Sequence, residues 1–182
     1  MKKPGIILAV TLFVFSGSNA VAQNAVKEIK LDKSPLDISY FKHDEKPLAK
    51  VQYARPARNG RKVFGELEKY GKVWRTGANE STEIRFYTDA TFGGKQIPAG
   101  TYSLFTIPNE GNWTVIINSA TDGWGAYSYD QGKDVARVEV PAQRTSGTVE
   151  RLTIYFEGED PAKTNLVIAW DDTMVSVSIS FN

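Results

Sequence analysis

Along most of the chain, apolar and polar residues alternate with a period of two, the pattern of strands that bury one face. Val175, Val177, Ile179 and Phe181 are interleaved with Ser176, Ser178 and Ser180. Leu152, Ile154 and Phe156 share one face of an earlier run. Ala136, Val138 and Val140 share one face of the run before it, with Arg137 and Glu139 outward. Ile84 and Phe86 alternate with Glu83, Arg85 and Tyr87, and Thr101–Ile107 and Trp113–Asn118 are short β-rich runs bounded by Pro, Asn and Gly. Further strands are expected at Leu36–Phe41 and Lys50–Tyr53. Asn165–Trp170 followed by Asp171-Asp172-Thr173 predicts a C-terminal hairpin, and Gly93-Gly94 predicts another tight turn. Helical spacing is nearly absent. Val63, Phe64, Leu67 and Tyr70 come closest and predict one or two turns. About nine or ten short strands at roughly ten-residue spacing predict an all-β fold, a single-domain antiparallel β-sandwich or barrel-like domain with one short helix.

The N-terminus breaks this pattern. Lys2 and Lys3 precede the apolar run Ile6–Phe15, and Ala20-Val21-Ala22 fits the small-x-small rule of signal peptidase. The run is shorter than the about 20 residues a membrane span needs. Residues 1–22 are therefore expected to be an export signal. The mature chain would start at Gln23, periplasmic or extracellular, with no stable membrane anchor after cleavage; an uncleaved anchor is the rival reading. Residues 23–33 are expected to form a loosely ordered lead-in to a domain over 34–182.

Composition narrows the chemistry. The 182 residues carry 22 Lys+Arg, 21 Asp+Glu, one His and no Cys. Disulfides, lipidation, thiolate metal sites and cysteine nucleophiles are excluded. A near-neutral balance argues against a nucleic-acid partner. His43 is the sole imidazole and sits in a polar stretch, and no G-x-S-x-G elbow exists to build a serine triad around it. No motif calls for a cofactor or a metal.

Three loop segments concentrate polar and aromatic groups. In Tyr70–Ser81, Trp74 is a candidate platform, Arg75 a bidentate donor, and Asn79 and Glu80 orienting groups. The alternative is a structural turn with Trp74 in the core and Arg75 paired internally. In Trp124–Asp130, Trp124 and Tyr127 suit a stacking surface, unless the tyrosines share a strand face. Arg55, Arg58, Arg61 and Lys62 lie within eight residues and form either an anion site or a solvated loop.

The ordered motifs Tyr53-Ala54-Arg55-Pro56, "YGKVWRTGANE" at 70–80, "GGKQIPAGTYSLFTIP" at 93–108, "WTVIIN" at 113–118 and "WGAYSYD" at 124–130 resemble the DUF2911 family, exported bacterial proteins of undefined function. The resemblance runs from about Ser34 to Phe181. It implies an exported all-β domain and marks the 70–80 and 124–130 motifs as family features. It implies no reaction. The leading expectation is a non-enzymatic module that binds a small polar ligand, a glycan or an envelope partner through Trp74, Arg75, Asn79, Glu80, Trp124 and Tyr127. The alternatives are a hydrolase with Glu80 as its base, and a purely structural envelope domain.

Overall fold

The computed structural model describes residues 26–181. The expected export signal and the cleavage before Gln23 lie outside the described residues. Ten strands follow one another: β1 (Leu36–His43), β2 (Lys46–Ala54), β3 (Thr82–Phe86), β4 (Ala90–Phe92), β5 (Lys95–Ile97), β6 (Gly100–Ile107), β7 (Asn112–Asn118), β8 (Asp134–Pro141), β9 (Gln143–Glu157) and β10 (Lys163–Phe181). All pair antiparallel. One sheet has the order β1-β2-β3-β6-β7-β8, the other β5-β4-β10-β9. Neither closes on itself, so the fold is a sandwich and not a barrel.

The alternation read from the chain decides what faces inward. Val175, Val177 and Ile179 are each 1% exposed, while Ser178 between them is exposed. Ile84 and Phe86 of β3 and Leu152 and Ile154 of β9 point into the same core. The central strands β6 and β7 depart from strict alternation. Both of their faces are covered, because the 119–133 connection folds over the outer side and sets Tyr129 edge-on against Phe105, 5.2 Å between centroids. At the heart of the core, Phe64, Trp74, Trp113 and Trp170 pack ring against ring, with Phe64 and Trp113 4.6 Å apart and Trp74 stacked on Trp170 at 5.9 Å. The Gly93-Gly94 turn joins β4 to β5 as expected. Both residues have positive φ (53° and 82°), the geometry of the primed turns that suit a two-residue hairpin.

Two expectations are corrected. Residues 63–70 form no helix. Val63 and Phe64 are both buried while Leu67 and Tyr70 are exposed, and Phe64 makes a bridge with Glu68. The segment is a tight turn closed by Gly65 N–H to Glu68 O and Glu68 N–H to Val63 O, both 2.9 Å. The only helical segment among the described residues is a 3-10 turn at Gln131–Lys133. Nor does the chain reverse at Asp171-Asp172-Thr173. β10 runs straight through, pairing with β9 from Asn165↔Glu157 to Met174↔Gln143, and then with β4 from Ile179 to Phe181. Asp171, at φ 57°, makes a bulge where a hairpin is expected. An aspartate tolerates the left-handed conformation, and the local signal for a bulge is the same as that for a turn.

Two long connections place the candidate site. Residues 55–81 link β2 to β3 and cross between the sheets. They bridge Arg151 of β9 through Ala57, Thr106 of β6 through Trp74, and Trp124 through Glu80. The 119–133 connection meets them there.

Candidate functional site

Trp74 is 3% exposed and belongs to the core. Its backbone exchanges hydrogen bonds with Thr106 (2.7 and 2.9 Å), and its indole N–H donates to Gly77 O at 3.1 Å. It offers no ring face to a ligand, which corrects the expectation of a platform. Thr76 follows at φ 55° and is fully buried. A β-branched residue in that region is strained by about 1–3 kcal/mol. The strain is held by Thr76 Oγ1 against Thr106 Oγ1 (3.1 Å) and by Thr82 Oγ1 donating to Thr76 O (2.8 Å). Arg75 is half-buried, and its Nε is buried with no hydrogen-bond partner. The first half of the motif is thus a clamp that fixes where its second half emerges.

The second half does reach solvent. Asn79, at φ 59°, accepts the Gly125 N–H on its backbone oxygen at 2.9 Å and donates from its amide to Asp32 Oδ1 at 3.2 Å. Glu80 bridges Trp124. Ser81 N–H donates to Gly123 O at 2.8 Å, and Ser81 Oγ donates to Gly125 O at 2.6 Å. These bonds lock residues 79–81 to 123–125 and hold the Trp124 indole out, 61% exposed. Tyr127 is 88% exposed, and its ring lies so close to Gly125 that a Cβ there would meet it at 2.8 Å. Two shallow hollows flank Glu80. One, of about 270 Å³, is lined by Asp32, Ser34, Asn79, Glu80 and Trp124 over Leu36 and Ala54. The other, of about 230 Å³, has Glu80, Glu83, Gln52 and Asp122 on its rim.

The structure therefore brings Asn79, Glu80 and Trp124 together, with Tyr127 beside them, and leaves out Trp74 and Arg75, which line neither hollow. Asp32 is a member the sequence reading missed. The backbone N–H of Ser34 and then the Asn79 amide hold its carboxyl below the usual range. Its signal was the Asp-x-Ser spacing of an Asx turn, which the bond from Ser34 N–H (2.7 Å) completes.

The family model described as a protein of unknown function, DUF2911, matches residues 34–179. The chain belongs to the DUF2911 family. No curated protein and no solved structure matches it.

The other candidate clusters of this DUF2911 domain resolve into structure. Arg55 donates to Leu152 O (3.0 Å), Asp37 Oδ2 (3.1 Å) and Thr153 Oγ1 (3.1 Å). Arg58 pairs with Asp171 at 3.2 Å, and Arg61 donates to Ala57 O at 2.8 Å. Arg55 and Arg58 thus tie the 55–61 segment to β1, β9 and β10, Arg61 bonds back within the segment to Ala57 O and Arg58 O, and Lys62 is exposed beside them. His43 is exposed beside Asp44. In the 124–130 segment Tyr129 turns inward onto Asp134 (2.7 Å) while Tyr127 turns outward, so the two do not share a strand face. Among the described residues no cluster of three His, Asp or Glu is placed to hold a metal ion.

One ionisable group is out of its ordinary range for a reason the sequence hides. Burial pushes the Glu68 carboxyl from 4.5 up to about 7, against the pull of Arg75 and then Arg61. Between those two values the folded protein keeps a proton that the unfolded chain has released. Stability is therefore full below about pH 4.5, falls as the pH rises to about 7, and stays low above it. The gap corresponds to about 3 kcal/mol, which residual solvent contact trims to about 2. Glu68→Gln is expected to abolish this slope and to be about 2 kcal/mol more stable than the parent at about pH 8. Urea unfolding across the range measures it, and a parent protein with flat stability from pH 4.5 to 7 contradicts it.

Proposed function

We propose that this DUF2911 domain is an exported, non-enzymatic module that binds a glycan on the Trp124–Glu80 face. The observation that carries this is the backbone bridge between Glu80 and Trp124, which sets an exposed indole beside a carboxylate and an amide at the edge of a hollow of about 270 Å³. An aromatic face for the C–H side of a sugar ring, with polar groups alongside for its hydroxyls, is the chemistry such a ligand requires. Asp32, Asn79 and Glu80 supply acceptors and one amide donor, and Tyr127 extends the aromatic surface. The two loops are tied together under them by the Ser81–Gly123, Ser81–Gly125 and Asn79–Gly125 hydrogen bonds, as a binding loop on a scaffold needs.

Trp124 also supplies the readout. Trp74, Trp113 and Trp170 are each at most 3% exposed, so a ligand on this face changes the fluorescence of Trp124. Titration of the mature protein with soluble peptidoglycan fragments and plant and microbial oligosaccharides is expected to give a saturable change. Trp124→Ala is expected to weaken binding by at least about tenfold, as a central aromatic contact does. Its melting temperature is expected to stay within about 2 °C, because the side chain is exposed. Binding that survives Trp124→Ala and Glu80→Gln together removes this face from the ligand site.

A further inference from the structure

The outer face of the six-stranded sheet is covered only in part. Ser103 and Phe105 of β6 are buried beneath the 119–133 connection, while Tyr40 of β1 and Tyr87 at the end of β3 stay 46% and 38% exposed. Register sets four residues in one row across the open part. Tyr40 lies opposite Lys50 of β2, Lys50 opposite Arg85 of β3, and Arg85 opposite Thr101 of β6. Directly opposite residues point to the same face. The neighbouring Val51 and Ile84 are fully buried, so the row faces solvent. At the usual spacing of strands it is about 14 Å long.

Two cations stand side by side in this row. Lys50 is half-buried and Arg85 is exposed, and among the described residues neither makes an ion pair. Like charges directly opposite each other destabilise a strand pair, and an anion placed between them removes the repulsion. Two exposed rings lie beside cations of the same face. The Arg85 guanidinium is 4.7 Å from the Tyr87 ring centre, and the Lys42 ammonium is 5.9 Å from that of Tyr40. Lys42 also pairs with Glu45 at 3.7 Å, which leaves Lys50 and Arg85 as the free charges of the group. Carboxylates occupy the next row of the face. Glu83 lies opposite Gln52 and accepts the Asp122 N–H at 3.1 Å, and Glu80 and Asp122 share a hollow with it.

We propose that the Tyr40–Lys50–Arg85–Thr101 row docks an acidic polysaccharide, with a uronate carboxylate between Lys50 and Arg85 and sugar rings on Tyr40 and Tyr87. The fork of Arg85 matches a carboxylate, Lys50 adds a point charge and Thr101 a hydroxyl. Tyrosine rings suit the C–H faces of sugars. The carboxylates of the next row make the chain lie across the strands, along the cations. They also set a polysaccharide above a membrane, because an anionic bilayer pressed on this face meets Glu80, Glu83 and Asp122 together with the cations. A nucleic acid needs a longer basic stripe than two free cations. The row goes beyond the Trp124 face, shares no residue with it and stands without it.

The test is calorimetric titration of the mature protein with oligogalacturonate and alginate oligomers at low salt. Neutral maltooligosaccharides, phosphatidylglycerol vesicles and a single-stranded oligonucleotide are the comparisons. The expected result is saturable binding of a polyuronate, weakened at least about tenfold by high salt and by Arg85→Gln. Lys50→Glu sets a carboxylate opposite Arg85. It is expected to abolish binding while raising the melting temperature by about 2 °C, since a repulsive pair becomes an attractive one. Lys163→Gln, which removes an exposed cation on the other sheet, is expected to bind as the parent does. Four results overturn the proposal: no polyuronate binding, equal binding of the neutral oligosaccharides, tighter binding of vesicles or the oligonucleotide, and binding that Arg85→Gln leaves unchanged or Lys163→Gln weakens equally. If Lys50→Glu fails to fold, Arg85→Gln, at an exposed position, still decides.

Discussion

Val177→Asp is expected to leave no folded protein under native conditions, whereas Ser178→Asp is expected to change stability by less than about 1 kcal/mol. The two positions are neighbours on β10 and differ only in which face the pleat gives them. Val177 is 1% exposed and sits among Val175, Ile179 and the opposing core, with no cation or donor set to receive a charge. An unpaired buried carboxylate costs several kcal/mol, a large part of the about 5–15 kcal/mol that holds a domain folded. Ser178 engages the sheet through its backbone, which accepts the Gly93 N–H at 2.8 Å, and its side chain faces solvent. Circular dichroism and urea unfolding of the two variants measure the difference. Equal damage at both positions means that β10 is buried on both faces.

Asp171→Ala is expected to destabilise the domain by about 3 kcal/mol, or roughly 10 °C in melting temperature at this chain length. Three losses combine. The Val63 N–H, 3.0 Å from the carboxylate, is left buried without an acceptor. Arg58 loses its ion pair, though it keeps a bond to Arg61 O at 3.1 Å. Alanine must also hold the positive φ, at a cost of about 1–2 kcal/mol. Asp171→Asn separates these contributions. The amide oxygen can still accept from Val63 and asparagine tolerates the backbone, so only the charge is lost and the expected cost is about 1 kcal/mol. Equal loss in both variants means that the ion pair, and not the bulge, is what the site needs. An alanine variant within about 0.5 kcal/mol of the parent means that the bulge is not pinned by this residue.

The candidate site was legible only in part. Asn79, Glu80, Trp124 and Tyr127 stand in two motifs far apart in the chain, and their polar and aromatic content alone marked them. That Asn79 and Glu80 lie against 124–125 follows from hydrogen bonds between loops, which have no sequence period. Trp74 and Arg75 belong to the same dense motif as Asn79 and Glu80, and composition cannot tell them apart. The fold does so, because Trp74 pairs with Thr106 and packs in the core, whereas Asn79 and Glu80, past the strained turn at Thr76, pair with the 123–125 segment at the surface. Glu68 is a similar case. It reads as one acid in a polar turn, and only the folding of the 63–70 segment half-buries it.

Alternation by itself settles that this chain is all-β, which face of β3, β8, β9 and β10 is buried, and where the Gly-Gly hairpin falls. These are local properties, since a period of two puts every second side chain on the same side wherever the strand ends up. Aspartate in the left-handed region serves a turn or a bulge equally well, so the chain could not say that β10 passes through Asp171 without reversing. Strand order, the covering of β6 and β7 on both faces, the burial of Trp113 with an unmet N–H, and the meeting of Glu80 with Trp124 were decided by tertiary structure. Each depends on which distant segments come into contact, and that is set by the packing of two whole sheets and not by any stretch of residues within one of them.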